Sequence, residues 1–156
     1  MSDEVRIVRA SVEHLDALAP LFDGYRRFYG QASDIESGRA FLAARLERGE
    51  SVIFLAQVGA GAAGMAQLYP TFSSVSLVTR WILNDLFVDP AFRRHGVGRA
   101  LAERCMEHCR ESGAGAMMLL TESTNAGAQR LYESLGWERD EKYWRYTWKP
   151  RAPSAS

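Results

Sequence analysis

Neither sign of charge dominates this 156-residue chain: 19 Lys and Arg offset 19 Asp and Glu. Bulk electrostatics therefore gives no reason to expect nucleic acid or an anionic membrane as a partner. No apolar run reaches the ~18 residues that a membrane span needs. The first residues, Met1-Ser2-Asp3-Glu4-Val5-Arg6, lack the basic and apolar regions of a secretory signal, so a cytoplasmic protein is expected. Cysteine is scarce. Cys105 and Cys109 stand four apart on one predicted helix, where a disulfide between successive turns would be strained. Without suitably spaced histidines they make no zinc site, so no metal is expected, and core packing is the role that suits them. Internal repeats are absent. The 47% apolar content suits a globular core, and one domain is expected over residues 1–149, with residues 150–156 as a frayed polar tail.

What is present reads as strands first, then as strand–helix–strand. Residues 5–10 suit a strand, and Ser11 suits the N-cap of a helix from Val12, with a kink or break at Pro20. Residues 24–33 mix aromatic and charged side chains. Ser33-Asp34-Ile35-Glu36 is a capping-box pattern, so a second helix is expected over residues 34–48, packing Ile35, Phe41, Leu42 and Leu46 on the sheet. Strands follow over residues 51–58 and 64–72, joined by a glycine-rich turn, with Pro70 marking an end or an edge. Residues 71–80 connect to the next strand. A buried strand over residues 117–121, a helix over residues 126–135 and a last hairpin (137–139 with 143–148) complete the pattern. The whole is an α/β fold: a mixed, mostly antiparallel central sheet flanked by helices.

The organising stretch is residues 83–101. An apolar strand, broken only by Asn84 and Asp85, runs to Pro90. Gly96 and Gly98 then strip side chains from a loop. From Val97 the apolar positions Val97, Leu101, Cys105 and Cys109 recur every four residues, as on a helix face. Bare N–H groups at a helix start, flanked by Arg93 and Arg94, make an anion site suited to a pyrophosphate. A dinucleotide fingerprint needs a third small residue where Leu101 stands, and a P-loop needs Gly-Lys-Ser/Thr, which the chain lacks.

The pattern Arg93-x-x-Gly96-x-Gly98 resembles the acyl-CoA pyrophosphate loop of the GNAT N-acetyltransferase superfamily. Asn125-x-x-Ala128-x-x-Leu131-Tyr132-Glu133-x-x-Gly136-Trp137 resembles a second signature of that family, in the family's order and spacing. The resemblance implies the GNAT-like fold, with the fourth and fifth strands splayed around an acyl-CoA thioester. It implies acetyl-CoA as co-substrate and a primary amine of a small molecule or protein as acceptor, and it is compatible with a homodimer. Backbone N–H groups of Arg94, His95, Gly96, Val97, Gly98 and Arg99 would face the pyrophosphate, with Arg93 or Arg94 adding charge. Leu86, Phe87 and Val88 would pair through main-chain groups with the pantetheine arm, one N–H serving as oxyanion donor. Asn125 would contact the cofactor arm, cap its helix, or do both.

Tyr132 falls where many enzymes of that family carry a tyrosine acting as general acid on the leaving thiolate. A core position beside Trp137 is the lesser alternative. A lysine-like amine is neutral in only about one molecule in a thousand at pH 7, so a base helps. Asp85 is the candidate base, with Asn84 positioning a water. The polyamine-acetyltransferase branch has Leu-Glu-Asp where this chain has Leu83-Asn84-Asp85, so the first acid of that pair is missing. Glu122 and Asp89 are lesser candidates, and His95 suits an exposed loop tip. No cysteine or serine stands in a nucleophile setting, so transfer is expected to be direct. Two other readings fit the same residues: a non-catalytic acyl-CoA sensor, which has no use for an acid at Tyr132, or an acyltransferase for another acyl-CoA or acceptor. The residues over 24–33 suit either an acceptor-site wall or a helix end with snorkelling arginines.

Overall fold

A computed structural model describes residues 4–151. Five strands form one sheet in chain order: β1 (Val5–Arg9), β2 (Val52–Val58), β3 (Gly61–Ser73), β4 (Val78–Val88) and β5 (Ala116–Met118). The first three pairings are antiparallel and β4–β5 is parallel. Helices α1 (Leu15–Phe28), α2 (Ile35–Glu47), α3 (Val97–Glu111) and α4 (Ala126–Ser134) surround it. The alternation of β2 decides the two faces. Ile53 and Leu55 join Met65 under Leu18, Leu21, Phe22 and Leu42 of α1 and α2. Phe54 and Ala56 join Ala66 and Leu68 under Val97, Leu101 and Cys105 of α3. Covered on both sides, β2 is almost entirely buried, which is why it reads as a continuous apolar run.

The hairpin between β2 and β3 turns at Gly59, whose φ of +59° favours glycine. Pro70 sits inside β3 opposite Trp81 of β4. Pairing with β2 has already ended at Leu68, so that side of β3 is an open edge and the missing N–H costs no ladder bond. Residues 71–80 form the far end of one long β3–β4 hairpin, paired out to Ser73 and Val78.

Several local expectations are corrected. Helix α1 runs unbroken through Pro20, because the buried face of Leu15, Leu18, Leu21 and Phe22 outweighs one lost backbone bond. Asp34, not Ser33, caps α2, accepting from the Ser37 N–H at 3.1 Å, while the Ser33 hydroxyl donates to Asp23 Oδ2 at 2.8 Å. Of the expected sheet-facing residues of α2 only Leu42 is fully buried. Phe41 instead stacks on Phe22 of α1 with ring centres 6.0 Å apart, and Ile35 is exposed. The strand expected over residues 117–121 is three residues long and lies at the sheet edge with no buried position. No strand follows α4 among the described residues, so the expected last hairpin is absent; Tyr143, Trp144, Tyr146 and Trp148 stand in solvent, while Trp137 packs on the core. Of the expected tail, residues 152–156 lie outside the described residues.

At Gly64 the backbones of β3 and β4 approach closely. A Cβ there would stand 2.7 Å from the Phe87 carbonyl oxygen and 3.1 Å from Val97. Gly64→Ala is expected to lower stability by about 1–3 kcal/mol, since a backbone atom cannot step aside as a side chain can. The check is a urea midpoint that falls at unchanged slope; an unchanged midpoint would mean that β3 and β4 separate freely.

Candidate active site

Strands β4 and β5 pair only at Arg80–Ala116, Trp81–Met117 and Ile82–Met118. Beyond these pairs they part, and a cleft of about 840 Å³ opens between them. One wall is Leu83, Asn84, Leu86, Phe87 and Val88; the other is Leu119, Leu120 and Thr121. Helix α4 and its cap close one side through Asn125, Leu131 and Tyr132, while Tyr25, Phe28 and Tyr29 of α1 and its C-cap border the mouth.

Alternation decides which main-chain groups of β4 face the gap. The Asp89 N–H bonds to the Ala63 carbonyl at 2.8 Å, on the β3 side. The Phe87 carbonyl also faces β3, against Gly64. In an antiparallel ladder alternate residues turn their N–H and C=O to opposite sides. The main-chain groups of Leu86 and Val88 therefore face the cleft, and those of Phe87 do not. The Phe87 ring lies instead toward α1, with atoms 3.0 Å from where a Gly24 Cβ would stand.

At the cleft's end comes the loop into α3. Asp89 accepts from the Ala91 N–H at 2.8 Å and starts a 3-10 turn over Pro90–Phe92. Arg94 and Gly96 then both adopt left-handed backbone, with φ of +72° and +74°. Among the described residues no acceptor meets the backbone N–H groups of residues 94–99. The next, that of Ala100, bonds to Gly96 O at 3.0 Å and opens the helix. A run of free N–H groups at the start of a 15-residue helix is a concave anion site. Arg93, Arg94 and Gly98 line the cleft there. A Cβ at Gly98 would meet Val88 and Leu131 at 3.6–3.7 Å, ordinary contact, so internal packing does not require this glycine. Val97 is buried under the sheet, His95 is exposed with its ring 6.3 Å from Phe92, and the Arg99 side chain bonds Glu103 and Ser134 rather than the cleft.

Asn84 has no partner in β3, because Gln67 pairs with Asp85 and Leu68 with Leu83. It is the extra residue of a β-bulge, a device that re-aims side chains beside sites. The Tyr25 hydroxyl donates to the Asn84 carbonyl at 3.2 Å. Asn84 Nδ2 donates to Asp85 Oδ1 at 3.0 Å, and Gln67 Nε2 donates to Asp85 Oδ2 at 2.5 Å. Asp85 is 4% exposed and lies behind the cleft wall rather than in it. Burial pushes its carboxyl above the ordinary carboxylate range, against the pull of Gln67, the nearby Tyr25 hydroxyl and Asn84. Gln67, fully buried, keeps its Oε1 without a partner.

Residues 18–137 match the model of the Acetyltransferase (GNAT) family. The chain belongs to this family. A Bacillus subtilis (strain 168) protein named "Uncharacterized N-acetyltransferase YhfO" is 45% identical over 142 residues, which is 91% of this chain and 95% of that protein. A crystal structure described as that of a probable acetyltransferase is 46% identical, covers 94% of this chain and 99% of its own, and superposes with a TM-score of 0.88. The [Ribosomal protein bS18]-alanine N-acetyltransferase of Escherichia coli (strain K12) is 41% identical over 54 residues, 35% of this chain and 36% of that enzyme. The protein is thus a GNAT N-acetyltransferase, transferring acetyl groups to amines.

In this GNAT acetyltransferase, Tyr132 lines the cleft with its ring centre 5.5 Å from that of Trp137. Burial first, then Cys105 and Tyr29, push its phenol up to about 12. Asn125 lines the cleft and also caps α4, accepting from the Ala128 N–H at 3.1 Å. The cleft therefore gathers Asn84, Leu86, Phe87, Val88, Arg93, Arg94, Gly98, Asn125 and Tyr132, and leaves out the side chains of Asp85, His95, Val97 and Arg99. Gln67 was not singled out from the sequence. Its signal was the one that Asp85 gave: a polar residue inside an apolar strand, between Ala66 and Leu68. Leu119, Leu120 and Thr121 carried no such signal, because their place depends on where β4 and β5 separate.

Proposed function

We propose that the enzyme holds acetyl-CoA along the β4–β5 gap and transfers its acetyl group directly to a primary amine entering past Tyr25, Phe28 and Tyr29. The observation that carries this is the junction of one cleft with a run of free N–H groups at the start of α3. The N–H groups of residues 94–99 take the pyrophosphate, with Arg93 and Arg94 beside it. Leu86 and Val88 offer main-chain groups to the pantetheine arm and an N–H to the acyl oxygen as its charge grows. Acetyl-CoA supplies the activated thioester. The exposed rings of Phe28 and Tyr29 suit a cationic acceptor in its approach. Direct transfer is supported by the two thiols: Cys105, buried, is pushed up to about 12, and Cys109 is also raised by burial, so neither is a poised nucleophile. The absence of a long apolar helix among the described residues and the need for acetyl-CoA both fit a cytoplasmic enzyme.

Asp85 takes the amine's proton through a water that Asn84 positions, since its carboxylate does not reach the cleft. A base must be ionised, and the Asp85 carboxyl is raised. Activity is therefore expected to fall with acid at a pH above the ordinary carboxylate range. Asp85→Asn removes that limb and lowers kcat/KM at least about tenfold. The same change leaves the fold as stable at pH 7. A raised carboxyl contributes stability below its unfolded pKa and loses it as pH rises through the folded value. An amide there also lets Gln67 turn its orphan Oε1 to a donor. The experiment is thiol release from acetyl-CoA against a panel of amines, run across pH on wild type and Asp85→Asn. Amine-dependent release with the acid limb lost in the variant supports the reading. A limb unchanged in the variant removes Asp85 from the proton path, and no release with any amine contradicts the proposal.

A further inference from the structure

Gln67 breaks the pattern of the strand that holds it. It is fully buried in β3, between Ala66 and Leu68, which are fully buried too. Across the sheet it stands between Ile53 of β2 and Asp85 of β4. Ile53 and Met65 share its face and pack under α1 and α2 as apolar core. A Leu or Met suits such a position. Burying an amide there is costly unless each polar atom finds a partner, and Oε1 has none among the described residues. Chains break a local rule of this kind where function requires it.

The other end of the amide supplies the reason. Nε2 donates to Asp85 Oδ2 at 2.5 Å, while Asn84 Nδ2 donates to Oδ1 at 3.0 Å, so two amides hold one carboxylate oxygen each. Asp85 is buried without a cation. The groups that act on it are Gln67, Tyr25 of α1 and Asn84, and Gln67 gives the largest pull against burial. The hydroxyls of Tyr29, at the end of α1, and Tyr69 of β3 also feel its charge. Arg45 of α2 acts on Tyr69, and Glu122 acts on Tyr29. A donor to a carboxylate favours its charged form, and here a neutral amide does what a cation does elsewhere.

We propose that Gln67 is a positioning residue of the acetyl transfer: its amide N–H fixes the Asp85 carboxylate beside Asn84 and holds it in the ionised form that accepts the amine's proton. The inference rests on the reading of Asp85 as the base. The proton leaves the acceptor nitrogen, passes through the water at Asn84 and ends on Asp85. The electron pair left on nitrogen forms the bond to the acetyl carbon. Gln67 itself does not line the cleft and acts only through Asp85.

Two near-isosteric variants test it. Gln67→Met removes both polar atoms, and Gln67→Glu places a second acid against the first. Carbon-13 shifts of the Asp85 carboxyl, followed across pH in the enzyme without substrate, read its titration directly. Its midpoint is expected to rise by at least about one pH unit in Gln67→Met. It is expected to rise further in Gln67→Glu, where two carboxyls share a proton. The acid limb of kcat/KM, measured by thiol release with an amine that wild type accepts, moves up with the midpoint, so the loss shrinks as pH rises. In an Asp85→Asn background Gln67→Met costs less than about twofold, because the group it acts through is gone. An unmoved midpoint in both variants overturns the proposal, and so does a loss of equal size at every pH, which a damaged core would give. If Asp85→Asn removes the acid limb and the Gln67 variants leave it in place, this inference fails and the base survives. If the limb persists in Asp85→Asn, the base itself is wrong and Gln67 loses its part with it.

Discussion

Tyr132→Phe is expected to lower kcat at least about tenfold, with acetyl-CoA affinity held within about twofold. The change removes one oxygen from a cleft-lining side chain and keeps its ring against Trp137. The size of the effect follows from what the phenol can and cannot do. Its pKa, pushed up to about 12, keeps it protonated across the working range. A thiol ordinarily titrates near 8.5, so complete transfer of the phenolic proton to a leaving thiolate is uphill by roughly 5 kcal/mol. We therefore propose that Tyr132 acts as a hydrogen-bond donor that steadies charge on the sulfur as the C–S bond breaks, and that bulk solvent supplies the proton later. This account predicts no loss of activity at high pH from ionisation of Tyr132 below about pH 11. Equal kcat in wild type and variant, measured by thiol release, would remove the residue from the reaction.

The second large effect belongs to the loop. Gly98→Asp is expected to weaken acetyl-CoA binding at least about a hundredfold, about 2.7 kcal/mol, with no loss of thermal stability. Both halves come from the same geometry. A Cβ at Gly98 meets only ordinary contacts, so the folded chain accepts a side chain. A carboxylate in the first turn of α3 is favoured by the helix dipole. It also occupies the free N–H groups that a pyrophosphate needs and repels what remains of the ligand. Gly98→Ala separates shape from charge and is expected to cost less. Calorimetric titration, paired with a melting curve, checks the claim. A variant that melts early and binds weakly would show only a damaged helix.

Local patterns carried far in this chain. The glycine pair before a helix, the four-residue apolar period from Val97 and the Asn125 cap are each set by neighbours within a turn or two, and α3 and α4 begin within a residue of where the pattern puts them. Pairing partners are not local. Nothing in residues 117–121 says that pairing stops at Met118, so a buried strand was expected where the chain turns aside to form a cleft wall. Asp85 and Asn84 stood out as polar residues in an apolar strand. Which of them faces the cleft depends on a bulge, and a bulge is visible only against the register of β3. The aromatic run over residues 143–148 reads as a strand because it has a strand's residues. Whether it finds a sheet within one chain or between two is a question about a surface, not about the run. Phe28 and Tyr29 posed the same difficulty. Their residue types suit a helix end and an acceptor rim alike, and only the position of α1 over the cleft mouth favours the rim.

On the proposed reading, one continuous surface, from the β4–β5 gap to the start of α3, receives acetyl-CoA. Amide chemical shifts of the uniformly labelled enzyme, followed during a titration with acetyl-CoA, address it residue by residue. The account predicts saturable shifts at residues 94–99, at Leu86 and Val88, and at Asn125, with Phe87 moving less than its two neighbours. Saturable binding that leaves residues 94–99 unmoved, or no binding at all, would contradict it.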